Sequence, residues 1–171
     1  MNKIYSKYKL FGGFGLLLGL NLLIGFGAYN LLTNSKISYE KVTFNNDQNA
    51  IIAYLIIIGL NLLFLTLLAS QCKLIITDDK GILFINPIIP FFRQYRLWTY
   101  FDYYILVDEN SRYSTHEAVW LIKNGKIKGR FSSFYYTNFN SLKKQIKSQS
   151  KGGKKFSEFD QLLILIGFKK I

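Results

Sequence analysis

The feature that most constrains this chain is an uncharged apolar stretch at residues 50–69, AIIAYLIIIGLNLLFLTLLA. It contains no proline, and a helix of this length, rising about 1.5 Å per residue, would extend roughly 30 Å, the thickness of the hydrocarbon core of a bilayer. Such a helix would be apolar on every side, and no other part of the chain is large enough to bury it. The stretch therefore predicts a membrane-spanning helix, which we place at residues 50–71.

A second uncharged apolar run covers residues 10–32 and follows a short basic segment at residues 1–9. A basic start followed by an apolar run is also typical of a signal peptide. This run is longer than a usual signal-peptide core, and Phe26 stands where a cleavage site near Gly27 and Ala28 would need a small residue. We therefore interpret residues 10–32 as a retained first membrane-spanning helix.

The distribution of charge predicts how the two helices are oriented. The net charge is +12, yet the connecting segment 33–49 is neutral, whereas residues 72–171 hold 17 basic and 8 acidic side chains. Basic residues near membrane spans favour the cytoplasmic side. We therefore expect a multi-pass protein with both termini in the cytoplasm, residues 1–9 as a basic cytoplasmic N-terminus and residues 33–49 as a short external loop.

The two apolar runs share the pentapeptide Gly-Leu-Asn-Leu-Leu, at residues 19–23 and 59–63. In an antiparallel helix pair, Asn21 and Asn61 would both lie near the bilayer midplane, where pairing of their amides contributes about 1 kcal/mol. Small residues on the same helices permit close backbone approach. The candidate packing residues are Gly15, Gly19, Asn21, Gly59 and Asn61, which fit packing within the hairpin or, alternatively, a seam between subunits. Neither run contains a charged residue, which disfavours a conducting pathway.

From residue 73 onward the apolar residues follow a period of two, which is typical of β-strands. The turn signals are Asp78-Asp79-Lys80-Gly81 and Asn124-Gly125, the latter typical of a tight hairpin. The patterns predict strands at 73–77, 82–86, 91–98, 100–107, 117–123 and 126–131, a helix at 137–149, a flexible basic linker from residue 150 and a short apolar helix at 157–168. The expected fold class is thus a membrane α-helical hairpin followed by an α+β domain, in which an antiparallel β-barrel or sandwich is capped by a helix.

Three short segments carry a family resemblance: ITDDKGI at 76–82, RLWTYF at 96–101 and FNSL at 139–142. With them, residues 73–149 resemble the bacterial pleckstrin-homology-like (PH-like) domains of small membrane proteins with two preceding helices, such as the YcxB-like families. The resemblance implies a PH-like fold, location in a bacterial cytoplasmic (inner) membrane and no enzymatic activity. Phosphoinositide-binding members of the wider fold carry a basic motif at the first hairpin. Here Arg93 and Arg96 are out of phase on one strand, so their side chains are expected on opposite faces.

The residue types needed for catalysis or metal binding are sparse. His116 is the single histidine and lies in a polar segment beside Glu117, a setting more typical of a solvated residue than of a base. Cys72 is the single cysteine, so it predicts neither a disulfide nor a thiolate zinc site; a buried thiol is favoured over palmitoylation. The acidic pairs fall in turns. We therefore predict a protein that is not an enzyme and that binds no metal or cofactor.

The basic residues of the second half suggest a surface that contacts anionic lipid. The candidates are Lys126, Lys128, Arg130, Lys151, Lys154 and Lys155. Attraction to the anionic cytoplasmic leaflet is worth about 1 kcal/mol for each nearby basic residue. A solvated face whose sign follows the positive-inside rule explains the same charges equally well. Nucleic-acid binding is disfavoured, because the neighbouring aromatic residues fit packing in the domain.

Two apolar segments resemble contact surfaces, namely Pro87-Ile-Ile-Pro-Phe-Phe92 and the C-terminal helix. The candidate contacts are Ile88, Ile89, Phe91, Phe92, Leu162, Leu163 and Leu165. The first segment fits either a membrane or partner contact or core filling. The second fits packing on the domain, a position in the headgroup layer or docking to another protein. The first functional hypothesis is a membrane-anchored scaffold or accessory subunit acting through protein contacts or self-association; the alternative is a lipid-responsive module that binds anionic headgroups.

Overall fold

The computed structural model describes residues 2–34, 44–111, 114–165 and 168–171, and it contains a pair of long helices and two β-sheets. The elements, in chain order, are β1 (Ile4–Tyr5), α1 (Gly13–Asn34), α2 (Phe44–Gln71), β2 (Leu74–Thr77), β3 (Gly81–Ile85), β4 (Arg93–Leu97), β5 (Tyr103–Ser111), β6 (Ser114–Lys123), β7 (Lys126–Ser132), α3 (Phe139–Lys144), β8 (Ser150–Lys154) and α4 (Glu158–Leu165).

The two long helices, α1 and α2, are both long and apolar enough to cross a membrane. They pack against each other at the end nearest the sheets, where Leu17, Leu68 and Cys72 are buried together. Further along, large apolar side chains such as Leu22 and Leu55 are exposed, as expected for helices whose outer surface faces lipid. The helices extend beyond the predicted spans into the predicted loop 33–49, of which residues 35–43 lie outside the described part of the chain.

The N-terminal segment, expected to be a basic cytoplasmic N-terminus, contributes a short strand to the sheets. Ile4 and Tyr5 form β1, which pairs with β2 antiparallel, so the helix pair is inserted between two neighbouring strands. The segment then follows the turn after β7: Lys9 N donates to the carbonyl of Tyr135 and Gly13 N to that of Phe134. Two residues are too few to produce a recognisable periodicity, and the partner strand lies about 70 residues away, so pattern reading could not detect β1.

The strands form two four-stranded sheets. Sheet 1 has the order β1-β2-β3-β4 and is antiparallel; sheet 2 has the order β7-β6-β5-β8, in which β8 runs parallel to β5. The described strands do not close into a barrel. The two long helices are thus followed by sheets and short helices, as expected for an α+β domain, but sheet 2 is mixed and not purely antiparallel. The predicted hairpin at Asn124-Gly125 is confirmed, and both residues have the positive φ that such a turn requires.

Two apolar cores lie on either side of sheet 2. The first lies between the sheets and includes Ile82 and Phe84 of sheet 1, Val119 and Leu121 of sheet 2, and residues of α3. The second lies on the opposite face of sheet 2, where α4 covers it. Its buried residues are Ile105, Val107, Ala118, Trp120, Ile122 and Ile164. Sheet 2 is therefore buried on both faces.

Three further expectations need correction. The stretch expected to be a flexible linker forms β8, because its backbone groups pair with the edge of β5, which needs no apolar side chains. The helix expected at 137–149 is confined to Phe139–Lys144. In β7, Ile127, Gly129 and Phe131 alternate with basic residues, which predicts one common face for all three. A register shift between Gly129 and Ile127 reverses this alternation, so Phe131 packs between the sheets whereas Ile127 packs on the second core.

Candidate functional site

The outer face of sheet 1, which points away from the core, is apolar and exposed. Alternation along the strands directs Ile75, Ile82 and Phe84 inward and leaves their neighbours outside. Four of these outward residues lie directly across from one another in one row, one on each strand: Tyr5, Ile76, Leu83 and Tyr95. We define the outer face of sheet 1 by its apolar members: Tyr5, Leu74, Ile76, Leu83, Ile85, Tyr95 and Leu97. Tyr5, Tyr95 and Leu97 are each about half exposed, at 53%, 49% and 49%.

The 87–92 loop, which connects β3 to β4, extends this apolar surface. Phe91 is 93% and Phe92 69% exposed, and Ile88 and Ile89 are exposed to 43% and 44%. The loop is nevertheless internally bonded: the Asn86 side-chain oxygen accepts hydrogen bonds from the backbone N–H groups of Ile88 at 2.9 Å and Ile89 at 3.1 Å. Its apolar side chains are therefore presented on a fixed backbone and do not fill a core.

The same loop lies at the end of sheet 1 where α2 enters it. The first residue of β2, Leu74, pairs with the last residue of β3, Ile85, so the loop begins beside the start of β2. Only Cys72 and Lys73 separate β2 from Gln71, the last residue of α2. The loop is thus next to the helix end that would emerge from a membrane.

The six basic residues expected to contact lipid do not form one surface. Lys126, Lys128 and Arg130 lie on β7, whereas Lys151 and Lys154 lie on β8, with Lys155 directly after it. These are the two outer strands of sheet 2, three strand spacings or roughly 14 Å apart. Five of the six are exposed, and Arg130 is not. The Lys151 ammonium lies 3.8 Å from the ring centroid of Tyr103.

Arg130 is held inside the protein. Its Nε donates to Glu109 Oε1 at 2.8 Å and its Nη2 lies 2.6 Å from the same oxygen, while Nη1 donates to the side-chain oxygen of Gln71 at the end of α2. The two charged side chains are only 18% and 14% exposed. Arg130 therefore links sheet 2 to α2, and its charge is neutralised by Glu109.

Lys73 contributes a cation that the sequence analysis did not single out. It lines two adjacent cavities, of about 190 Å³ and about 180 Å³, at the junction of α2 with the sheets. The first cavity is also lined by Ser70, Gln71, Lys128, Arg130 and Tyr135, and the second by Phe84, Asn86, Phe92 and Gln94. We refer to the two cavities together as the Lys73 cleft. None of the residues that line it is acidic.

Lys73 is half-buried and forms no ion pair with any residue that the structure describes. Its ammonium lies 5.9 Å from the ring centroid of Phe84. Burial lowers the pKa of Lys73 below its usual value, and the nearby Arg96 guanidinium lowers it further. Both causes disfavour the charged lysine and make this position attractive to an anion.

Arg96 adds a second cation with an open donor. As the strand register predicts, Arg96 lies across from Ile82 on the inner side of β4, and Arg93 lies on the outer side across from Ile85. Arg96 Nη2 donates to Gln94 Oε1 at 2.9 Å and the guanidinium lies 4.8 Å from the ring centroid of Tyr100. Its Nη1 is buried and has no hydrogen-bond partner among the described residues.

The residues predicted to pack the helices have divided roles. Asn61 Nδ2 reaches across to α1 and lies 3.4 Å from the backbone carbonyl of Asn21, while Asn21 Nδ2 donates to the carbonyl of Leu17. The two helices therefore meet at these residues. Their side-chain amides were expected to pair with each other, but each donates to a backbone carbonyl instead.

The glycines predicted to pack the helices differ in their surroundings. A Cβ on Gly15 would overlap the Leu10 backbone, so Gly15 packs against the chain before α1. Open space surrounds Gly19 and Gly59 on the part of the chain that is described.

The C-terminal helix packs on sheet 2. Ile164 is buried in the second core and Leu163 is half-buried, whereas Leu165 is 39% exposed at the edge of the Lys73 cleft. The expectation for the Leu162 side chain lies outside the described residues. The helix thus uses part of its apolar surface within the domain.

The described residues contain no group of three or more His, Cys, Asp or Glu side chains placed to hold a metal ion. His116 lies against the ring of Phe134, at 4.7 Å between centroids. Burial raises the pKa of the Cys72 thiol to about 12, so at neutral pH it is a protonated thiol and not a nucleophile.

The outer face of sheet 1 and the Lys73 cleft were not anticipated. The run Leu74-Ile75-Ile76 is apolar at consecutive positions, which places apolar residues on both faces of the strand and signals a sheet that needs two covered faces. Lys73 carries no such signal, because its partial burial depends on how α2 joins the sheets.

No protein-family model matches this chain, and no curated protein or solved structure is found to be similar to it.

Proposed function

We propose that this protein is a non-catalytic, membrane-anchored scaffold or accessory subunit that binds a partner protein through the outer face of sheet 1. In this proposal α1 and α2 form a two-span anchor in a bacterial cytoplasmic membrane, and the sheets form a PH-like domain on its cytoplasmic side. The observation that carries the proposal is an apolar row across all four strands of sheet 1, half-buried at Ile76 and Leu83 and exposed at Tyr5 and Tyr95, together with the exposed apolar side chains of the 87–92 loop.

The anchoring part of the proposal rests on length, composition and chain path. Both helices are long and apolar enough to cross a bilayer. Because β1 pairs with β2, the segment before α1 and the strands after α2 lie at the same end of the helix pair. The lysines at positions 3, 7 and 9 and the excess of basic residues after α2 then favour the cytoplasm for that end.

The choice of a protein partner rests on the chemistry of the face. Soluble domains rarely expose a contiguous apolar patch unless it binds something. The face carries two half-exposed tyrosines, Tyr5 and Tyr95, and tyrosine is enriched in protein interfaces. A flat apolar sheet face suits packing against a sheet or helix of another protein. The lipid-responsive alternative is less well supported, because its six candidate cations are divided between the two edges of sheet 2 and one of them, Arg130, is paired with Glu109.

The test is purification of the full-length chain from its native membrane in mild detergent, with the stoichiometry of the recovered proteins determined. We expect one partner in a fixed ratio. Leu97→Lys, which places a charge at a half-exposed position of the outer face, should release that partner. Phe159→Lys, which makes the same chemical change at an exposed position on α4, should retain it.

A photoreactive phenylalanine analogue at Tyr95 identifies what covers the face in the membrane. A cross-link to the co-purified protein supports the proposal, and a cross-linked dimer of the chain makes the partner a second copy. Cross-links to lipid alone, or recovery of the wild-type chain without any partner and as a monomer, would overturn the proposal.

A further inference from the structure

We propose that the Lys73 cleft binds the phosphate of an anionic phospholipid headgroup, with Lys73, Lys128 and Arg96 supplying the positive charge. This site differs from the partner face of sheet 1. Of the six residues that the sequence suggested for lipid contact, only Lys128 and the paired Arg130 line it, and Lys128 is the exposed one. The inference rests on the membrane placement proposed for α2, and extraction of the chain by detergent but not by high salt checks that placement separately.

The described lining of the cleft holds two cations, Lys73 and Lys128, that form no ion pair with any described residue, and it holds no acidic side chain. The Arg96 guanidinium lies outside the lining of both cavities but close enough to Lys73 to lower its pKa. Arg130, which also lines the cleft, is already bound to Glu109. A half-buried ammonium without a counter-ion is unfavourable, because burial removes water without supplying an opposite charge. A bound phosphate would supply that charge, and it would also raise the pKa of Lys73 towards its ordinary value.

Arg96 has a guanidinium nitrogen that is free to donate a hydrogen bond to a ligand. Buried guanidinium N–H groups are nearly always hydrogen-bonded, yet Arg96 Nη1 has no partner among the described residues. The other guanidinium nitrogen, Nη2, is held by Gln94, which itself lines the cleft, and the plane rests on Tyr100. Arg96 is therefore fixed in place beside Gln94, a residue of the cleft lining, and phosphate oxygens are the acceptors that a guanidinium binds best.

The position and the volume of the Lys73 cleft both suit a phospholipid headgroup. Lys73 is two residues beyond the end of α2, so in the proposed membrane it lies at headgroup depth. The larger cavity, about 190 Å³, has the volume of about six water molecules at roughly 30 Å³ each, enough for a phosphate and its attached glycerol. Phe92 lines the second cavity and is largely exposed, so an acyl chain leaving the cleft would meet an apolar surface.

The surroundings of the cleft favour a lipid as the source of the phosphate. A soluble phosphate compound would supply the same oxygens, but the cleft opens beside the helix end and the apolar 87–92 loop. Those neighbours favour a ligand that has both a phosphate and hydrocarbon chains. Basic pockets of this kind at the cytoplasmic ends of membrane helices are typical headgroup sites.

The test uses the full-length protein in detergent and native mass spectrometry with added phosphatidylglycerol. We expect the wild-type chain to retain phosphatidylglycerol in preference to phosphatidylcholine. Lys73→Gln and Lys128→Gln should each weaken retention about fivefold, which corresponds to about 1 kcal/mol for each cation. Lys126→Gln removes an exposed lysine from the same strand without touching the cleft and should bind as the wild type does.

Lys128 is exposed, so its substitution leaves the fold intact and keeps the test valid even if Lys73→Gln is destabilised. Equal retention by the wild type and by both cleft variants would overturn the proposal, as would equal retention of phosphatidylcholine. Inorganic phosphate at matched ionic strength separates the two sources. If it displaces phosphatidylglycerol completely and raises the thermal stability of the wild type but not of Lys73→Gln, the ligand is a soluble phosphate and not a lipid.

Discussion

The two sheets of this protein are built from strands of similar composition but are treated differently by the rest of the chain. Sheet 2 has an apolar core on each face, one shared with sheet 1 and one covered by α4. Sheet 1 has the shared core on its inner face, while its outer face carries exposed tyrosine and leucine side chains. Among the described residues, the chain covers both faces of sheet 2 and only the inner face of sheet 1, and the proposed partner site rests on this contrast.

This contrast explains the role of the last 22 residues. A parallel strand added to the edge of β5 brings the chain to the second face of sheet 2, where Phe156 stacks on Trp120 at 5.6 Å between ring centroids. No equivalent segment reaches sheet 1 within the described residues. The C-terminal segment therefore acts as an intramolecular partner for sheet 2, and it illustrates the kind of contact that the outer face of sheet 1 lacks.

The largest expected effect comes from removing that intramolecular partner. A chain that stops after Gln149 should lose about 5 kcal/mol of stability, because Phe156, Ile164 and Ile171 would no longer cover the second core. Thermal unfolding of the purified protein in detergent measures the loss, and light scattering should detect association through the uncovered face. A truncated chain with wild-type stability would contradict the comparison between the sheets.

The same substitution on the two sheets should have different costs. Ile122→Ala in the second core should destabilise the protein by about 3 kcal/mol, because the side chain is fully buried. Ile76→Ala on the outer face of sheet 1 should cost about 1 kcal/mol or less in the isolated protein. Denaturant unfolding of both variants gives the two values. Equal losses would mean that the outer face is already covered within the isolated protein.

The ion pair that joins sheet 2 to α2 should contribute an intermediate amount. Glu109→Gln removes the charge facing the largely buried Arg130 and should cost about 2 kcal/mol, because a buried guanidinium is then left without its counter-ion. Glu117→Gln, which affects the more exposed pair with Lys143, is the matched control and should cost less than about 0.5 kcal/mol. A similar loss of stability in both variants would show that the pair of Arg130 with Glu109 contributes no more than an exposed ion pair does. Thermal unfolding supplies both values.

The smallest effect concerns the β6–β7 turn of sheet 2. The Asp102 carboxylate accepts hydrogen bonds from the Lys123 ammonium and from Asn124 N, each at 2.7 Å, and in that order these bonds lower the pKa of Asp102. A lowered pKa stabilises the folded state above the ordinary aspartate pKa of about 4, and this contribution is lost as the pH falls through the folded pKa. Melting temperatures across this range should fall less for Asp102→Asn than for the wild type. Identical pH profiles would contradict this role.

Several features could be read from local sequence because their causes are local. The Asn124-Gly125 hairpin follows from the positive φ that these residues tolerate. The turn at 78–81 follows from Asp78, whose side chain accepts from the N–H groups of Lys80 and Gly81 at 2.8 Å. The two apolar helices follow from length and absence of charge. The opposite placement of Arg93 and Arg96 follows from the pleat of a strand.

The candidate site could not be predicted in the same way. Arg130 looked like one member of a basic surface, and only its approach to Glu109 and Gln71 shows that its charge is used inside the protein. The register shift in β7, which falls at Lys128 between Ile127 and Gly129, leaves no mark in the sequence. In the sequence Lys73 is an ordinary lysine at the end of an apolar run, and only the folded chain partly encloses it between α2 and the strands.

The sequence by itself determined the two long apolar helices, six of the strands, the turns and the excess of basic charge, because each of these depends on residues close together in the chain. Tertiary structure decided that β1 joins β2 across the helix pair, that β8 replaces a linker, and that, among the described residues, sheet 2 is covered on both faces and sheet 1 on one. These outcomes depend on backbone hydrogen bonds and on burial between segments far apart in the chain, and alternating patterns specify that a face is apolar without specifying what will cover it.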